Sequence, residues 1–175
     1  MNKSKSFVLI GCLWLSIIAA FVVTKEYTLR TGAEILLKTR PVDPRDLFRG
    51  DYVILSYDIS RFNAGDMQSS LVRHFRVDDQ VYVTLDMDGE YSRIKQVHYD
   101  PPRGEIYLKG RVVQVHGDQI SLEYGIESYF VPEGEGKLIE RRRNGGRVDV
   151  LAAVDRRGHV MIKKLLMDNV EVRFD

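Results

Sequence analysis

Arg40–Tyr57 reads RPVDPRDLFRGDYVILSY, and the fold class follows from how a chain can run through it. Pro41 and Pro44 exclude a helix and hold their preceding residues extended, while Asp43 and Asp46 can accept from nearby backbone N–H groups and fix a turn. Gly50 then admits a tight approach to a strand. Along that strand Asp51, Val53, Leu55, Tyr57 and Ile59 share one face, and Tyr52, Ile54, Ser56 and Asp58 share the other. The apolar side chains of the first face mark it as the core side, with Leu55 and Tyr57 buried. A stiff charged corner (Asp43, Pro44, Arg45, Asp46, Arg49, Asp51) therefore opens a buried strand.

The same period of two continues outward. From Gly32 onward, β-branched and aromatic residues sit between Gly, Asp and Pro punctuation, and strands are expected at 33–39, 50–59, 80–87, 90–99, 105–116, 119–130, 148–154, 159–165 and 170–174. Asp88-Gly89 and Gly117-Asp118 read as two-residue hairpin loops, and Asp155–Gly158 as a four-residue one. Two stretches break the period: 60–75, where MQSSLVRHF suggests a short helix, and 132–146, where GKLIERRR suggests a helical turn. The expected fold is mostly β: an N-terminal transmembrane helix, then an antiparallel β-barrel or sandwich carrying one or two short helices.

The transmembrane element is the uncharged run Phe7–Val23, FVLIGCLWLSIIAAFVV. Its 17 residues lie at the lower edge of what crosses a bilayer core of about 30 Å. A cleaved signal peptide would have a shorter apolar core and a small-x-small cleavage site, whereas Phe21, Val22 and Val23 end this run and Ile18 precedes the best cut, after Ala20. Leu9-Ile10-Gly11-Cys12 spells a lipoprotein acceptor, but the apolar run continues from Leu13 to Val23 where a polar linker would be needed. An uncleaved anchor fits better. Lys3 and Lys5 precede the span and Lys25 and Glu26 cancel after it, so the N-terminus is expected in the cytoplasm and the body in the periplasm or its equivalent. Residues 1–24 are then the cytoplasmic tip and anchor, and residues 25–175 the β-domain.

The full chain of 175 residues suits one domain. Its 26 basic and 25 acidic side chains give a net charge of +1. Because Lys3 and Lys5 belong to the tip, the body carries about −1, which argues against nucleic acid as a partner. The single cysteine, Cys12, lies in the span, so the body needs no disulfide and offers no thiol nucleophile or thiolate ligand.

Gly50, Asp51, Tyr52, Leu55 and Tyr57, preceded by Pro-Val-Asp-Pro-Arg-Asp at Pro41 to Asp46, resemble the GDYXXLXY family of bacterial membrane-anchored proteins. The resemblance extends to the single N-terminal span, the chain length, and an aromatic-acidic stretch before a basic loop, here Tyr129 to Gly134. It implies a membrane-anchored β-domain encoded near multi-pass membrane proteins, and it assigns no activity.

A weaker likeness links Pro44–Val53 to membrane-anchored signal peptidases, which need a Ser nucleophile just before the matching Pro and a Lys base. Pro41, Val42 and Asp43 stand where that Ser should be, so Lys95, in a plausible position for the base, reads as a surface lysine. His74, His98, His116 and His159 show no ligand spacing, and neither a metal nor another cofactor is expected. Asp43, Asp46 and Asp51 read as turn formers and ion-pair partners rather than as a catalytic carboxylate set. Arg141, Arg142 and Arg143 form a basic loop, solvated by default and otherwise suited to anionic headgroups. Tyr129, Phe130, Glu133 and Glu135 make an edge or a partner-facing patch. The leading expectation is a non-enzymatic, membrane-anchored extracytoplasmic binding domain that partners a multi-pass membrane protein, with the corner at Asp43 to Tyr57 organising the binding face. The rival is an envelope hydrolase with a signal-peptidase-like β-fold lacking the Ser nucleophile.

Overall fold

α1, Lys3–Thr31, opens the chain as a single helix. Ser16, Thr24, Thr28 and Thr31 sit on it without stranding a polar group, because each hydroxyl donates to the carbonyl four residues back at 2.6–3.2 Å. The segment from Phe7 is long and apolar enough to cross a membrane. The computed structural model describes residues 3–40, 52–66, 75–87, 89–130, 132 and 148–172. The helical stretches expected at 67–75 and 136–143 lie almost entirely outside these residues.

The body is antiparallel β in a nearly closed, barrel-like arrangement. After α1, Gly32 alone intervenes before β1, Ala33–Arg40. β1 joins β10 (Val148–Val154), β11 (Val160–Met167), β12 (Val170–Glu171) and the short β3 (Ser56–Tyr57) in a sheet ordered β12-β11-β10-β1-β3. A second sheet runs β4 (Arg61–Asn63), β8 (Gln119–Glu123), β7 (Tyr107–His116), β5 (Gln80–Asp86), β6 (Arg93–His98). β2 (Tyr52–Ile54) and β9 (Ser128–Phe130) form a separate ribbon. Alternating residues of both sheets fill one core, with Leu37, Val150, Val81, Val83, Leu108 and Val112 wholly inaccessible.

Four expectations change. The strand expected at 50–59 changes partner at Leu55, which donates its N–H to the carbonyl of Glu127 at 2.7 Å in continuation of the β2–β9 register before Ser56 and Tyr57 pair with β1, and the one expected at 119–130 breaks in the turn at 124–127. Asp88-Gly89 is not a two-residue loop, because β5 ends at Asp86 and β6 starts at Arg93. The physical reason is Ser92, buried and donating its N–H across to Leu36 of β1 at 2.9 Å, which draws the chain out of the hairpin. Arg61–Asn63, expected to be irregular, pairs with Ser121–Gln119 as β4. The Gly117-Asp118 loop is as read: His116 faces Gln119, and Gly117 takes φ +57°.

The connection between β10 and β11 is closed by Asp155, which accepts from the N–H groups of Arg157 and His159 at 2.8 and 2.9 Å and from the His159 ring at 3.0 Å. Burial pushes its carboxyl upward, but these bonds outweigh burial and hold it below the ordinary value. A depressed acid contributes stability that is fully present above the unfolded value of 3.8 and is lost as pH falls through the lower folded value. Wild type should therefore exceed Asp155→Asn by about 1–2 kcal/mol at neutral pH, and chemical unfolding should show that gap closing in acid. A gap independent of pH would show that charge has no part in it.

Candidate functional site

The motif segment ties the two sheets together. Tyr57 is completely buried, and its hydroxyl donates to the carbonyl of Ile126 at 2.6 Å. Tyr124, also buried, donates its hydroxyl to the carbonyl of Ile59 at 2.7 Å. With Leu55 bonded to Glu127, three hydrogen bonds lace residues 55–59 to residues 124–127. Glu127 stiffens this turn by accepting from the N–H groups of Tyr124 and Gly125 at 2.6 and 2.8 Å. Burial raises its carboxyl above the ordinary value against the pull of those amides. Both tyrosines are pushed far above the ordinary phenol value, chiefly by burial, so each remains a neutral donor. Leu55 and Tyr57, read from the sequence as core residues, are 4% and 0% exposed.

The ribbon places Tyr52 opposite Phe130 and Val53 opposite Tyr129, so the motif strand and the aromatic stretch are direct neighbours. Phe130 is exposed and Tyr129 half-buried. Asp43, Pro44, Arg45, Asp46, Arg49, Gly50 and Asp51 lie outside the described residues, as do Glu133, Glu135, Arg141, Arg142 and Arg143.

The described residues add a feature that alternation alone did not disclose. β4 and β6 are opposite edges of the second sheet, yet both line one groove of about 880 Å³. The sheet curls until its edges approach, and the groove is the seam left open between them. Between β3 and β4 the chain passes from one sheet to the other in the single turn Asp58–Ser60. Phe62, in the lining, meets Phe75 edge-on at 5.5 Å, and Phe75 stacks on Tyr99 at 5.4 Å. Tyr91, in the lining, donates to the buried carboxylate of Asp149 at 2.8 Å.

The seam is strongly basic. Lys38 and Arg40 from β1, Arg61 from β4, and Arg93 and Lys95 from β6 face it, against one carboxylate, Asp58. Asp58 serves Arg40 at 2.7 Å and Lys38 at 3.9 Å, and Lys95 reaches Glu105 at 3.0 Å. Arg61 and Arg93 make no ion pair among the described residues. These pairs are half-exposed and contribute little individually, about 0–1 kcal/mol, so an incoming anion can displace them. Edge strands also offer backbone donors and acceptors on their unpaired side. The seam is thus equipped to hold an anionic, extended ligand. Lys95, the residue a signal-peptidase-like reading would make a base, takes part as one surface cation bonded to Glu105. Among the described residues, no group of three or more His, Cys, Asp or Glu gathers closely enough to hold a metal ion.

The family model described as GDYXXLXY protein matches residues 14–165, which covers most of the chain from within α1 to β11. The chain belongs to the GDYXXLXY family. None of the curated proteins and none of the solved structures compared matches it. In this GDYXXLXY protein the second half of the motif is a brace: Leu55 and Tyr57 secure the crossover beside the seam rather than facing a ligand. Sequence reasoning missed Lys38, Arg40, Arg61 and Arg93 as a set. Lys38 and Arg93 were legible as outward residues of alternating strands, whereas Arg40 opened the proline corner and Arg61 fell in a stretch expected to be irregular, and the convergence of all four depends on the curl of the second sheet.

Proposed function

We propose that this GDYXXLXY protein is a membrane-tethered, non-enzymatic binding domain standing outside the bacterial cytoplasmic membrane, N-terminus inside, whose seam receives an acidic extended segment of a multi-pass membrane protein. The observation that carries the reading is the seam itself: five cations and one carboxylate around a groove bounded by two strand edges. Backbone pairing to an edge supplies register while side-chain charge supplies selectivity, a combination used in recognition by strand addition. A single N-terminal helix able to cross a membrane supports the tether, and the basic tip before it supports the orientation. The family resemblance, with its neighbouring multi-pass membrane proteins, supports the class of partner.

Arg61→Glu with Arg93→Glu tests it, because both side chains are exposed and unpaired among the described residues. In crosslinking from native membranes, the membrane protein captured by wild type should fall about tenfold or more for the double variant, as reversal of two charges facing an acidic ligand implies. Equal capture by both proteins, with matching thermal unfolding, would sink the seam as the binding face.

A further inference from the structure

A second cleft, of about 1030 Å³, lies where the body meets the anchor. One wall is the last part of α1, through Thr24, Tyr27 and Thr31; the others are the 104–107 segment and the turn after β10. The helix sets the height of this cleft. If the uncharged run ending at Val23 fills the hydrocarbon core, Thr24–Thr31 rise through about 12 Å at 1.5 Å per residue. That covers the headgroup layer, which adds roughly 5–8 Å on each side of the hydrocarbon. Tyr27, 65% exposed, stands at the boundary where amphipathic aromatic rings concentrate.

The lining matches that location. Ile106 is exposed in the cleft and Tyr107 is half-buried beside it, with the Tyr107 hydroxyl donating to the carbonyl of Arg156 at 3.3 Å. The two acids in the lining are already engaged, Asp155 with His159 at 3.0 Å and Glu105 with Lys95 at 3.0 Å. Arg156 and Arg157 are exposed and make no ion pair among the described residues. Their turn is held rigidly: Lys109 donates its N–H to Gly158 at 2.8 Å, and a Cβ at Gly158 would come within 2.6 Å of the Tyr107 ring.

We propose that this cleft binds the headgroup of an anionic phospholipid, with Arg156 and Arg157 on the phosphate and the acyl chains descending along α1. The inference is independent of which side of the membrane the body occupies and of what the seam binds. It concerns residues distinct from Arg141, Arg142 and Arg143.

The full chain in detergent, titrated with phosphatidylglycerol or phosphatidylcholine and observed by native mass spectrometry, supplies the test. One phosphatidylglycerol adduct per chain is expected, at roughly thirtyfold lower lipid concentration than for phosphatidylcholine, as two arginines at a charged headgroup imply. Arg156→Gln with Arg157→Gln should abolish the preference, and Arg156→Lys with Arg157→Lys should retain most of it. Circular dichroism melts matching wild type would show that both variants fold. Equal uptake of the two lipids by wild type would overturn the proposal. So would displacement of the lipid by an equal concentration of soluble glycerol phosphate, or loss of the preference in Arg141→Gln/Arg142→Gln/Arg143→Gln but not in the Arg156/Arg157 glutamine variant.

Discussion

Tyr57→Ala is expected to destabilise the β-domain by about 3–5 kcal/mol, and Tyr57→Phe by about 1–3 kcal/mol. The first figure follows from deleting a wholly buried ring in a close-packed core. The second follows because the ring would stay while the carbonyl of Ile126, which accepts the hydroxyl at 2.6 Å, loses its buried donor. Since a domain of this size has about 5–15 kcal/mol in all, the alanine variant should be close to unfolding at ordinary growth temperature. Tyr124→Phe removes the reciprocal bond to Ile59 and should cost a similar amount. The two bonds brace one crossover, so the double phenylalanine variant should depart from additivity by at least about 0.5 kcal/mol. Denaturant unfolding followed by far-UV circular dichroism measures all of these. A Tyr57→Phe variant as stable as wild type would show that the hydroxyl does not hold the crossover.

That brace also shows where reading the sequence succeeds and where it stops. Alternation in GDYVILSY is a local property, so it correctly put Leu55 and Tyr57 inside. It could not show that the strand changes partner at Leu55, because the two partners lie far apart in sequence, Ser128–Phe130 of β9 before it and Thr39–Arg40 of β1 after it. The break in the other expected strand did leave a local sign. Gly125 takes φ +82°, and a glycine within an alternating run marks a bulge or bend. The β10 strand was legible to the residue because its apolar run is bounded by Arg147 and Asp155, whereas the hairpin at Asp88-Gly89 was misread because Ser92 pairs with the other sheet. The seam and the cleft beside α1 are less legible still. Each gathers cations or walls from elements far apart in sequence, and only closure of the barrel and docking of α1 bring them together.

Docking of α1 rests on one residue with no side chain. A Cβ at Gly32 would lie 2.5 Å from the carbonyl oxygen of Thr28 and 2.9 Å from that of Val154, both backbone atoms that cannot swing aside. Gly32 also donates its N–H to Thr28 at 2.9 Å, while Thr28 is 6% exposed against the body. Helix, junction and β10 are thus one close-packed unit, and overpacking such a contact costs about 1–3 kcal/mol, occasionally more. Gly32→Ala, and more so Gly32→Val, should therefore lift the end of α1 off β10 while the strands, braced elsewhere, keep their pairing. Reconstituted in nanodiscs, wild type should resist trypsin at Lys25 and Arg30, which lie within the helix, and Gly32→Val should be cut there about tenfold or more faster, since 1.4 kcal/mol of local opening corresponds to a factor of ten. Gly11→Ala, which meets nothing within 4 Å, is the neutral comparison. Unchanged cleavage together with an unchanged melt would mean that the junction tolerates a side chain and that α1 does not fix the body. A loosened junction with intact strands would instead separate two properties of the protein: the seam would keep its charges, and the cleft beside α1 would lose the helix that forms one of its walls.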